Sequence, residues 1–188
     1  MTIREILATR PPADAWATEH LHISDECKSL AAAILQGTAT AISDGSYHPD
    51  SRIGTSGFIL RGLNRHLSAA GANVIPGSPE EQSSYRSELG GISGVLAVVS
   101  ATCDKYDLQE GCITFGLDGE QALKKAKSGW PLSPTDTDFD LLTDIRAKLK
   151  ALPIDTEWEW VEGHQDDELS FKHPVSYTHL TLPTICSV

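Results

Sequence analysis

Four side chains able to do acid, base or metal chemistry stand far apart in the chain, each in a short and distinctive context. They are Asp44 in Ile42-Ser43-Asp44-Gly45-Ser46, Glu88 in Tyr85-Arg86-Ser87-Glu88-Leu89, Asp118 in Phe115-Gly116-Leu117-Asp118-Gly119, and His164 in Trp158-Glu159-Trp160-Val161-Glu162-Gly163-His164-Gln165. Three carboxylates make an oxygen-only ligand set of the kind Mg²⁺ or Mn²⁺ prefers, and a histidine can move a proton near neutral pH. Brought together, such a set suits metal-assisted hydrolysis of a phosphodiester. Taken singly, each residue has a plainer reading. Asp before Gly is common turn chemistry, Glu88 fits a solvated helix face, and His164 fits an ordinary loop. The fold must decide between these readings.

The elements that would position these residues can be read from periodicity. Ala39 to Asp44 reads as a short strand ending in Asp-Gly-Ser, and Gly54 to Leu60 and Arg65 to Ile75 read as two more strands around a Gly62-Leu63-Asn64 turn. Between Pro79 and Asp104, Leu89, Ile92, Leu96, Val99 and Cys103 form one apolar helical stripe with Glu88 beside its first turn. Gly90, Gly91 and Gly94 each cost that helix about 1 kcal/mol relative to Ala, so their clustering predicts close approach to the sheet. Cys112 to Asp118 alternates as a buried strand, Glu120 to Lys127 reads as a short helix, and Asp138 to Leu152 as an amphipathic one. Ile154 to Val161 is the last strand, with Trp158 and Trp160 on one face. The order βββ-α-β-α-α-β predicts an α/β fold: a mixed five-stranded sheet, three antiparallel strands then two parallel additions, with helices on both faces. In open sheets of this kind ligands sit at the carboxyl ends of strands, where Asp44 and Asp118 would meet.

At 188 residues the chain suits one well-cored domain with a short flanking segment. Its net charge of −11 argues against capture of nucleic acid by the overall field, so any such binding must use local cations or a partner. Lys124, Lys125 and Lys127, followed by Trp130, form the one dense basic and aromatic patch, which reads as a substrate contact or as a solvated helix face. Cys27, Cys103, Cys112 and Cys186 have neither C-x-x-C nor zinc-ligand spacing and read as reduced thiols. The first residues lack a signal-type apolar run and Gly90 to Ala101 is too short to span a bilayer, so an intracellular protein without membrane attachment is expected.

The succession Asp-Gly-Ser, Arg-x-Glu-Leu, Leu-Asp-Gly and Trp-Val-x-Gly-His resembles the ribonuclease H family, in particular the type attached to reverse transcriptases of retroelements. The resemblance covers about residues 39 to 170. It implies a ribonuclease H-like fold and an endonuclease acting on the RNA strand of RNA/DNA hybrids, with two Mg²⁺ or Mn²⁺ ions. Asp44 would bridge the ions, Glu88 and Asp118 would complete their ligands, and His164 would aid proton transfer or product release. The implied partners are the hybrid and a covalently linked reverse transcriptase domain. In the segment Gln82-Ser83-Ser84-Tyr85-Arg86 serine replaces most of the amide side chains that the family offers to the hybrid's minor groove.

The family also carries a fourth metal-binding Asp in a final helix that is not recognisable here, and Asp167 is a weak candidate for its place. From about Pro174 the sequence reads as adaptor or vector sequence. The expected organisation is therefore a partly helical connector over residues 1–37, a ribonuclease H-like domain over 38–173 lacking its last helix, and a non-native unstructured tail over 174–188. A catalytically impaired hybrid-binding or connection module of a reverse transcriptase is the alternative function.

Overall fold

The structure, a computed structural model, describes residues 1–161. The central β2 (Ala39–His48) buries Ala39, Ala41 and Ser43 on one face while intervening residues point the other way, the period-two pattern of a strand with one covered side. It pairs antiparallel with β3 (Ile53–Arg61), which pairs antiparallel with β4 (Leu67–Val74). On its other side β2 lies parallel to β5 (Cys112–Leu117), and β5 lies parallel to β6 (Asp155–Trp160). This is the expected mixed sheet of three antiparallel strands and two parallel additions.

A sixth strand corrects the expected count of five. Residues His20–Ile23 form β1, antiparallel to β4, and give the sheet order β1-β4-β3-β2-β5-β6. The strand alternates exposed His20 and His22 with Leu21 and Ile23, but at four residues the run is too short to stand out in the sequence. The same N-terminal stretch holds α1 (Ile3–Ala8), opened by a capping box between Thr2 and Glu5, and α2 (Lys28–Gln36), closed by Gly37 at φ 71°. Ile3, Ile6, Cys27, Leu30 and Ile34 from this stretch lie in the main core.

The long helix α3 (Ser84–Tyr106) starts where the Ser83 side chain accepts from the Arg86 N–H at 3.0 Å. Its glycines face the sheet as expected: a Cβ on Gly91 would lie 2.8 Å from the Ser43 Cβ, and one on Gly94 would lie 2.5 Å from the Phe58 ring. Leu89, Ile92, Leu96 and Val99 fill the space between them with Phe58, Leu60, Ile113 and Phe115. After β5 the chain forms α4 (Glu120–Lys127) and α5 (Phe139–Ala151), and α5 adds Leu141, Leu142 and Ile145 to the same core. Trp158 of β6 stacks on Phe115 with ring centroids 4.4 Å apart, which ties the outer strand to its neighbour.

Candidate metal centre

The register of the two parallel strands places the first two acids. The β2–β5 ladder ends at Ser43 opposite Leu117, so Asp44 and Asp118 each come one residue after the last pair. Asp44 does not close its strand, contrary to expectation: β2 continues to His48 against β3, with Asp44 opposite Gly57. The Asp-Gly pair is therefore strand rather than turn. Asp118 follows β5 directly, and its carbonyl accepts from the Trp160 indole N–H at 3.1 Å, while Val161 N–H donates to the Leu117 carbonyl at 2.8 Å. The last strand thus holds the Asp118 backbone in place.

The glycine after each aspartate makes room for Glu88. A Cβ on Gly45 would fall 2.4 Å from the Glu88 nitrogen and 2.5 Å from the Ser87 carbonyl carbon, both main-chain atoms that cannot swing aside. One on Gly119 would sit 3.0 Å from the Glu88 Cγ. Two further bonds fix this approach: Gly45 N–H donates to Glu88 Oε1 at 3.1 Å, and the Ser87 hydroxyl donates to the Ser46 carbonyl at 2.9 Å. Clearance, rather than turn geometry, is what Gly45 requires, whereas Gly119 lies in the expected turn from β5 into α4.

One carboxylate oxygen from each of Asp44, Glu88 and Asp118 lies within 4.8 Å of the others, a group able to hold a metal ion. Burial, then Asp118, then Asp44 push the Glu88 carboxyl up to about 8, against the opposing Gly45 N–H. With both groups ionised, Glu88 Oε2 and Asp118 Oδ1 are buried without a hydrogen-bond partner; a hydrogen bond between the two side chains, when Glu88 is protonated, adds to the upward shift. Buried acceptors are almost always satisfied, and a divalent cation would satisfy both while cancelling the repulsion that raises Glu88. The residues present fit such an ion.

A pH dependence follows. Without metal, folded Glu88 holds its proton up to about pH 8 whereas the unfolded residue loses it near 4.5. The folded state binds the extra proton between those values, so this contribution to stability is full below about 4.5 and is lost as pH rises towards 8. Denaturant melts in EDTA should show Glu88→Gln relieving that decline, and Mn²⁺ affinity of the native chain should rise over the same interval. A wild-type profile identical to that of Glu88→Gln would contradict the raised carboxyl.

The remaining expected site residues divide. His164 lies outside the described residues, as do Asp166, Asp167 and the segment from Pro174 onward. The basic patch occupies the second half of α4 and the residues after it: Lys124 pairs with Glu120 at 2.7 Å, Lys125 sits 5.8 Å from the Tyr85 ring, and Trp130 is 80 % exposed. Gln82 is not free to meet a substrate, because its amide nitrogen is shared among the Ile75, Pro76 and Gly77 carbonyls at 3.2–3.3 Å.

Sequence reasoning missed Arg86. Its side chain, 2 % exposed, donates to the Pro76 carbonyl at 2.9 Å, to Asp138 at 2.9 Å and to Asp140 at 2.9 and 2.6 Å. It thereby fastens the helix turn carrying Glu88 to the start of α5. The signal was an arginine two residues before Glu88 and an Asp-Phe-Asp triplet far downstream, with nothing local to join them.

No family model matches the chain, and no curated protein does. Among solved structures the chain is similar to the N-terminal RNase H domain of a Mycobacterium tuberculosis protein, solved as a fusion with maltose-binding protein. The two share 14 % identity at a TM-score of 0.46 over 69 % of this chain and 85 % of that one. It is also similar to RNase H1 from the halophilic archaeon Halobacterium salinarum, with 14 % identity and a TM-score of 0.45 over 69 % of this chain and 89 % of that one. Among the described residues no helix is long and apolar enough to cross a membrane.

Proposed function

We propose that this chain is a metal-dependent endonuclease that hydrolyses the RNA strand of RNA/DNA hybrids. The observation that carries the reading is the convergence of Asp44, Glu88 and Asp118, with two of their oxygens buried and unsatisfied. The order of the motifs in which these acids stand, and the strand, helix and strand that bear them, support it further. Asp44, Glu88 and Asp118 would hold Mg²⁺ or Mn²⁺, two ions on the family's pattern, which when bound supply Lewis acidity for water attack and neutralise charge at the phosphate. The chain's own residues orient the ligands: Gly45 N–H holds one Glu88 oxygen, the Trp160 indole holds the Asp118 carbonyl, and Ser87 ties α3 to β2. His164 is assigned proton transfer beside the scissile phosphate. Discrimination of RNA from DNA would rest on the 2′-hydroxyl.

The domain assigned to this activity is 38–173, and the biological setting we infer is an intracellular retroelement polyprotein in which a linked reverse transcriptase domain adds basic surface to that of this acidic chain. A substrate panel tests the reading. With Mg²⁺ or Mn²⁺ the chain should cut the RNA strand of a hybrid and leave duplex DNA and the hybrid's DNA strand intact; cleavage of duplex DNA at a similar rate would overturn it. A second reading rests on the sequence alone, where the family's final helix with its fourth acid is not recognisable. A non-catalytic hybrid-binding module would bind the hybrid in that assay and leave both strands whole.

A further inference from the structure

Away from the acids, a groove of about 400 Å³ opens between the end of α4, the outer side of α5 and β6. Three cations edge it, Lys127, Arg146 and Lys150, and its floor includes Leu149 and Trp158. Two other lysines in this region are neutralised: Lys124 pairs with Glu120, and Lys148 with Asp144 and Asp14. Among the described residues, no carboxylate pairs with any of the three groove cations. Arg146 instead donates to main-chain carbonyls, those of Lys125 and Trp130, where it caps the end of α4 with its charge intact.

The two hydroxyls in the lining are also turned into donors. Ser128 Oγ accepts from the Trp130 N–H at 3.2 Å and Thr156 Oγ1 accepts from the Trp158 indole at 3.0 Å, so each keeps its own O–H free to give. A groove presenting two ammonium groups, a guanidinium and two hydroxyl donors, over an aromatic and aliphatic floor, matches a phosphodiester with its sugar. In a chain of net charge −11, three clustered cations with no carboxylate partner among the described residues are not background.

Its position relative to the acids gives the ligand a direction. The side chains at 156, 158 and 160 share one side of β6: Thr156 and Trp158 line the groove, and Trp160 holds the Asp118 carbonyl. Four residues of strand span about 13 Å, the reach of a few nucleotides. We infer that the α4–α5–β6 groove binds a backbone phosphate of the same nucleic-acid strand whose scissile linkage lies at the acid centre. This rests on the proposed nuclease reading for the acid centre alone, because the groove can be tested without turnover.

The test is the salt dependence of hybrid binding, read by fluorescence anisotropy of a labelled RNA/DNA hybrid in the Asp44→Asn background. Removing one cation that neutralises a phosphate lowers the slope of log affinity against log salt by about 0.7–0.9. Lys127→Ala/Lys150→Ala should lower it by about one to two and weaken binding at low salt by about tenfold or more. Lys28→Ala/Lys105→Ala, which removes the same charge from outside the groove, should leave the slope unchanged. Lys127 and Lys150 are exposed, so a matching melting temperature checks that the fold is intact. Equal slopes for the two double variants would overturn the inference, as would competition by polyglutamate matching that by an oligonucleotide. A lowered slope with no hybrid cleavage by the unmutated chain would leave the groove standing and remove the nuclease reading; cleavage with an unchanged slope would do the reverse.

Discussion

Asp44→Asn is expected to abolish RNA-strand cleavage, by at least about a hundredfold, while leaving the fold and hybrid binding in place. The size follows from the role: removing a ligand from a metal site that stabilises both attacking and leaving oxygens costs several kcal/mol of transition-state stabilisation, and each 1.36 kcal/mol is tenfold in rate. The fold should survive because an asparagine keeps the shape of the side chain in the middle of β2, and removing one of three converging carboxylates relieves repulsion on Glu88. Single-turnover cleavage of an end-labelled hybrid, beside a thermal melt, measures both halves. A metal-free melting temperature equal to or above that of the unmutated chain, with no cleavage, is the expected pair. Retained cleavage by the Asp44→Asn variant would remove Asp44 from the centre.

The second large effect is on stability, at Arg86. Substitution by Met keeps the volume and removes the charge, leaving Asp138, whose side chain is 2 % exposed, as a buried carboxylate without its counter-ion. Breaking a buried pair from one side costs about 3–5 kcal/mol, which for a chain of this size lowers Tm by roughly 6–20 °C. The Asp138 leg carries the effect, because the Asp140 side chain is 62 % exposed and can be solvated. Arg86→Lys should recover little, since one ammonium cannot reach Pro76, Asp138 and Asp140 in the fixed fork a guanidinium provides. Arg86→Met/Asp138→Asn should be more stable than Arg86→Met alone. A loss under about 1 kcal/mol for Arg86→Met would show that the buried network contributes nothing to holding α3 against α5.

These two residues also mark how far the sequence could be read. Asp44, Glu88 and Asp118 were legible because carboxylates at predicted element ends, in a meaningful order, limit the topology that would join them. The sheet's mixed character followed from the same pattern. What each glycine does was only half legible: Gly91 and Gly94 announced contact with the sheet by their cost to a helix, but Gly45 looked like a turn residue. Its reason is the main chain of Ser87 and Glu88, which no local window contains. Arg86 was invisible because its partners lie 52 and 54 residues away. The edge strand β1 escaped because its alternation runs for only four residues, and the groove escaped because Arg146 and Lys150, four apart on α5, look like a solvated helix face until α4 and β6 are set beside them.

The claim on which the functional account depends is that the three carboxylates form a divalent-metal centre. The measurement that addresses it most directly is Mn²⁺ binding at pH 8, read from the loss of the free-ion electron paramagnetic resonance signal, for the unmutated chain and for Asp44→Asn/Asp118→Asn. Saturable binding by the unmutated chain, lost in the double variant although both melt cooperatively, is the expected result. Equal Mn²⁺ uptake by the two proteins would contradict it.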